Sequence, residues 1–281
     1  MKNVLVPIDF SVSSAHAALY AAQLSHKLKP TKIILLHCFE PDFIVSEIPL
    51  SPPYYTDDLN ENSVKQLNDL KEKLVSAKNA PTEIEVITSD KPIIQTITAL
   101  IEEQNIELII SGTTEKGALE KILLGSHTLN IIKLSTVPVL VIPNSELSFS
   151  IHNIAFAINL KDSTRVPVND IQSVVSAFDS KLFIVNVAEN GREDSYADIV
   201  RNQQYLYKHW NSENTEYHYV NNKDIAAGIK AFINEYEIQM LILVPKQYSF
   251  FESLFHSSVT KEFSFDNSIP VMFINEKIET N

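Results

Sequence analysis

The chain has a single cysteine, Cys38, among its 281 residues. An intramolecular disulfide framework is excluded, and a reducing compartment, the cytoplasm, is the expected location. Positive charge is also in short supply: 23 Lys and Arg stand against 35 Asp and Glu, a formal net charge of −12. Sequence-independent attraction to nucleic acid or anionic lipid comes from Lys and Arg, so neither is expected as a partner. No uninterrupted apolar run approaches the about 20 residues that a membrane span requires. The opening MKNVLVPIDFS is broken by Pro7 and Asp9 before it can form a secretory h-region.

Motifs for covalent and metal chemistry are missing too. The eight His and the one Cys form no zinc spacing, and there is no H-E-x-x-H helix, no G-x-S-x-G elbow and no Walker A lysine motif. No catalytic residue and no metal site are assigned, and the chain is read as a non-enzyme. Disorder as the main state is excluded by composition, with 44% hydrophobic and 21% charged residues.

What is present is written twice. NVLVPIDFS from Asn3 aligns with NIAFAINLK from Asn153 at an offset of 150, and KIILLHC from Lys32 with KLFIVNV from Lys181 at 149. IEEQNIELII from Ile101 aligns with INEYEIQMLI from Ile233, and PVLVI from Pro138 with PVMFI from Pro270, both at 132. The drop of 17 places one deletion after the second strand of the second half, opposite the Pro-rich segment EPDFIVSEIPLSPPYYTDD of the first.

Short Val/Ile/Leu-rich runs alternate with helical patterns in each half, the signature of a parallel sheet covered by helices. Ala15, Ala18, Leu19 and Ala22 predict one helical face, with Ser11 or Ser13 as N-cap. Val64, Leu67, Leu70 and Leu74 predict a second; Ile93, Ile94, Ile97, Leu100 and Ile101 a third; Ala118, Ile122, Leu129 and Ile132 a fourth. The expected architecture is two tandem doubly wound α/β domains, residues 1–144 and 151–281, each with a parallel five-stranded sheet. Ligands of such sheets bind at the carboxyl ends of the strands.

Glycine is scarce and clustered. Three of the five lie in SGTTEKGALEKILLGS, Ser111 to Ser126, between two apolar runs. Backbone N–H groups at such a loop can cradle phosphate. The stretch resembles the nucleotide loop of the universal stress protein family: Gly, two residues, Gly, nine residues, Gly, then Ser or Thr. Gly112 and Gly125-Ser126 keep the outer spacing of 13. The inner glycine is replaced by Glu115, and Gly117 comes two residues late.

The resemblance extends over the whole chain as a tandem pair and implies the adenine nucleotide alpha hydrolase-like fold. It implies binding of ATP, with Mg, or of another adenine nucleotide in the first domain, and a role in stress adaptation through protein partners. The residues it points to are Pro7, Asp9, Cys38, Gly112, Thr113, Gly117, Gly125, Ser126 and Thr128. Asp9 would contact the ribose and the metal–phosphate region, the backbone near Cys38 the adenine edge, and the loop hydroxyls and N–H groups the phosphates. Asp9 also reads as a turn residue capping the next helix. Family dimers pair through their last strands, so VPVLVIP and IPVMFIN are expected to meet inside one chain as an intramolecular pseudo-dimer; a homodimer is also compatible with the resemblance.

The second half has lost the motif: Asn159 stands at the place of Asp9, Val244 at Gly112 and Ser257 at Gly125. Its Lys246, His256, Ser257, Ser258, Thr260 and Lys261 form a partly basic cluster suited to a small anion. The alternative to nucleotide binding is a ligand-free interaction module that docks a partner through the Pro-rich segment.

Overall fold

The computed structural model describes residues 2–39, 53–77, 81–113, 125–144, 150–188, 196–210, 213–245 and 269–276. The chain divides into two compact units, Met1–Gly112 and Thr113–Asn281.

The first unit runs β1 (Asn3–Pro7), α1 (Val12–Leu28), β2 (Lys32–Cys38), α2 (Pro53–Ala77), β3 (Glu83–Ser89), α3 (Ile93–Glu103) and β4 (Ile106–Gly112). Its sheet has the order β3-β2-β1-β4, and every pair is parallel. Leu5, Val6, Ile34, Leu35 and Ile109 are fully buried, as the central strands of a parallel sheet require. Each such side chain contributes about 1.5–3 kcal/mol by leaving water.

The helices follow from local chemistry. Ser11 is the N-cap of α1, its hydroxyl accepting the Ser14 N–H, and α1 ends at Lys29 in the left-handed conformation, φ 46°. The buried face of α1 is wider than its spacing predicts: Ala17, Ala21, Leu24 and Leu28 are buried with Ala18 and Ala22, whereas Ala15 and Leu19 are half-buried. Alanine has too little side chain to reveal which way a helix faces. Leu67 and Leu74 of α2 are buried as expected. Helix α2 begins at Pro53, so the end of the Pro-rich segment is helical rather than loop; a proline in the first turn loses no intrahelical bond. Residues 40–52 lie outside the described residues.

The second unit runs α4 (Ser126–Leu134), β5 (Val139–Ile142), β6 (Asn153–Ile158), a 3₁₀ turn (Leu160–Arg165), α5 (Val168–Phe178), β7 (Lys181–Ala188), α6 (Tyr196–His209), β8 (Thr215–Asn221), α7 (Ile225–Glu235), β9 (Met240–Leu243) and β10 (Val271–Phe273). The strand order is β5-β10-β9-β6-β7-β8. All pairs are parallel except β5 with β10, which is antiparallel with Val141 opposite Val271 and Val139 opposite Phe273. The two last strands of the sequence repeat therefore meet, and β5 packs by this pairing with the strands of the second half.

Fine detail repeats along with the elements. Asn3 donates its side-chain amide to the carbonyl of Gln104 at the end of α3, and Asn153 does the same to Tyr236 at the end of α7. Asn105 and Glu237, the residues that follow, are both left-handed at φ 49°. Lys29 and Asp179 end α1 and α5 in the same way. The deletion in the second half shortens a helix: α2 has 25 residues and α6 has 14.

Candidate functional site

In the first unit Pro7, Cys38 and Gly112 are the last residues of β1, β2 and β4, and Asp9 follows two residues after Pro7. The adjacency of these strands brings the four together at the carboxyl end of the sheet, where doubly wound sheets bind ligands.

The Asp9 turn is built from several local bonds. The Ile8 N–H still continues the strand, donating to the Leu36 carbonyl at 2.7 Å. Phe10 then takes the left-handed conformation, φ 62°, uncommon for a bulky residue. The reversal lets the Asp9 Oδ1 accept the Ser11 N–H at 3.0 Å. Ser11, rather than Asp9, caps α1. Asp9 braces the cap from two residues further back and remains exposed. Burial raises the carboxyl pKa, but hydrogen bonds from Ser11 and Ser14 outweigh it and hold the group below its ordinary value of 3.8. Asp9 is thus a carboxylate at neutral pH.

His37 closes the turn from β2. Its Nδ1 lies 2.7 Å from the Ile8 carbonyl oxygen; a carbonyl can only accept, so Nδ1 carries the proton. Its ring sits 4.4 Å from that of Phe10, centroid to centroid, at an interplanar angle of 42°. His37 is not among the candidate site residues of the sequence; its two partners, one of them 29 residues away, give no local signal there. Cys38 is half-buried.

Gly112 has a packing reason to be glycine. A Cβ there would fall against the Ser13 carbonyl group, 2.7 Å from its carbon and closer still to its oxygen. The first turn of α1 makes this close approach.

In the second unit Thr113 is buried. Gly125 caps α4 in an extended conformation, φ −61° and ψ 157°, and its carbonyl accepts the Leu129 N–H at 2.9 Å; no side chain caps this end. Ser126 is exposed and Thr128 buried. Gly117 and Glu115 lie outside the described residues, as do Lys246, His256, Ser257, Ser258, Thr260 and Lys261 of the second half. Val244 is buried, 1% exposed, at the end of β9. Among the described residues no group of three His, Cys, Asp or Glu is placed to hold a metal, and no helix is long and apolar enough to cross a membrane.

The corresponding turn of the second half is different. Asn159 follows β6, Leu160 opens the 3₁₀ turn, and Pro167 precedes α5, which starts only at Val168. Proline blocks the helical bonds that would carry α5 further back. One bond is retained: Asn186 Nδ2 donates to the Ile158 carbonyl at 3.1 Å.

The chain is a doubly wound α/β protein with an acidic turn after its first strand and a glycine at the end of its fourth. Comparison narrows the class. The sequence model of the universal stress protein family matches residues 1–143. A universal stress protein of Methanocaldococcus jannaschii is 35% identical over 153 residues, covering 50% of this chain and 94% of that protein. The crystal structure of a universal stress protein from Archaeoglobus fulgidus covers 98% of both chains with a TM-score of 0.68 at 20% identity. One from Pseudomonas aeruginosa covers 98% of this chain and 94% of its own, with a TM-score of 0.62 at 13% identity. At these identities the two structures speak for the fold. The chain belongs to the universal stress protein family.

Proposed function

We propose that the chain is a nucleotide-responsive regulator of stress adaptation: the first half binds an adenine nucleotide, ATP with magnesium, and a protein partner reads the bound state. The observation that carries this reading is the Asp9 turn, an exposed carboxylate kept ionised at the carboxyl end of the sheet. Pro7 and Cys38 flank it on β1 and β2, the place of the sugar and base. Thr113, Gly117, Gly125, Ser126 and Thr128 are the phosphate-side residues assigned by the sequence motif.

An ionised carboxylate beside a polyphosphate is repulsive unless a cation lies between, and Mg²⁺ supplies that neutralising charge. The donor set fits such an ion, because Asp9 presents an exposed, ionised carboxylate, the hard oxygen donor that a hydrated cation takes. Binding, not turnover, is the proposed function. The cytoplasm is its proposed location.

Calorimetric titration of the purified protein with ATP and magnesium tests the reading. Saturable binding is expected in wild type and its loss in Asp9→Ala. Glu115, in place of the inner glycine, favours a second reading, the nucleotide-free interaction module; absence of binding to wild type together with capture of a partner through residues 40–58 would establish it.

A further inference from the structure

The two halves hold the end of their first strand by the same device made from different residues. In the first, the His37 ring donates from Nδ1 to the Ile8 carbonyl at 2.7 Å. In the second, the Asn186 amide donates from Nδ2 to the Ile158 carbonyl at 3.1 Å. Ile8 and Ile158 are equivalent in the repeat, as are His37 and Asn186. An Asn amide nitrogen and a His Nδ1 stand the same number of bonds from the backbone, so either side chain can deliver a proton to that carbonyl.

The bond persists in the half where Asp9 has become Asn159 and the turn has become a 3₁₀ segment. The donor alone therefore does not shape the acidic turn. The first half adds the ring: His37 lies against Phe10 at 4.4 Å, and Phe10 is left-handed. Leu160, at the equivalent place, has no such ring contact and is not left-handed. An off-diagonal backbone conformation at a bulky residue persists only where its surroundings hold it, and the His37 ring is a contact in place to do so. Once Phe10 is reversed, the Ser11 N–H reaches Asp9 and the cap of α1 forms.

We infer that His37 is a positioning residue with two separable tasks: its Nδ1–H secures the end of β1, and its ring clamps Phe10 so that Asp9 is held in its ligand-binding pose. The ligand part of this rests on the reading of the first half as a nucleotide site. The clamp itself does not.

Three variants separate the tasks. His37→Asn imports the second half's solution, keeping the donor and deleting the ring. Its melting temperature should stay near wild type, while the Ser11 amide of the ligand-free protein should exchange with solvent about tenfold faster, because the turn opens locally. Phe10→Leu leaves His37 intact and should show the same loss of Ser11 protection. His37→Phe keeps a ring and loses the donor; it should lower the melting temperature and retain Ser11 protection. ATP–magnesium affinity should fall about fivefold in the first two variants, as expected when the competent turn is only partly populated. Unchanged Ser11 protection in both His37→Asn and Phe10→Leu would overturn the clamp. If wild type binds no nucleotide, the proposed function fails, and the amide exchange still decides the clamp.

Discussion

Asn275 donates its side-chain amide to the Ile132 carbonyl at 2.7 Å, across 143 residues of sequence. The same nitrogen reaches the Ser135 carbonyl at 2.8 Å. These carbonyls lie at the end of α4, where the helix has no intrahelical donors left, so a residue just beyond β10 caps a helix that precedes β5.

Asn275→Ala should destabilise the protein by about 2 kcal/mol, the cost of leaving partly buried carbonyls without donors. Asn275→Asp should be worse, since it presents an acceptor to two acceptors. Urea denaturation of the three proteins checks both, and wild-type stability in Asn275→Ala would show that water caps α4 equally well.

Gly112→Ala places a methyl group on the Ser13 carbonyl. Overpacking of this kind costs about 1–3 kcal/mol, and relief requires the first turn of α1 to move, taking the Ser11 cap and the Asp9 turn with it. A lowered denaturation midpoint and weakened ATP–magnesium binding are expected together. A variant as stable as wild type would mean that α1 shifts freely.

Asp9 makes stability depend on acid. Its folded pKa lies below the ordinary value of 3.8, because the hydrogen bonds from Ser11 and Ser14 outweigh burial. A depressed carboxylate contributes stability that is complete above the unfolded pKa and is lost as pH falls through the folded one. Wild type should lose stability below about pH 4 more steeply than Asp9→Asn, whose side chain does not titrate. Parallel acid limbs in the two proteins would remove Asp9 from the balance.

Glu115→Gly restores the glycine that the family's loop has at this place. The change removes bulk and negative charge near the proposed phosphate site, so the gain should be larger for ATP than for adenosine. Screening shortens the reach of a surface charge to about 8 Å at physiological salt, and the difference between the two ligands should shrink as salt is added. Equal gains would mean that Glu115 acts by shape alone; no gain for either ligand would take the phosphates away from this loop.

Much of the fold is legible in the sequence because its central strands, such as β1, β4 and β9, are buried on both faces and read as apolar runs. The doubling is legible because offsets stay constant across Asn3 and Asn153, residues that repeat the same helix-end bond. The orientation of α1 is not, since alanine burial is nearly free of direction. Asp9 stands out at a strand end, and Gly112 by its spacing. The partner of Gly112, Ser13, and the partners of His37 become visible only when β1, β2 and β4 lie side by side. The late start of α5 after Pro167 could have been found from the sequence, as a proline where the first half has helix.

The antiparallel pairing of β5 with β10 joins two strands of a single polypeptide. In an assembly of identical chains each substitution appears on both sides of such a seam, and the seam dissolves on dilution. Here neither holds: the association is a matter of chain connectivity, independent of concentration, and each side accepts substitutions alone. One half carries Asn159 and Val244 where the other has Asp9 and Gly112.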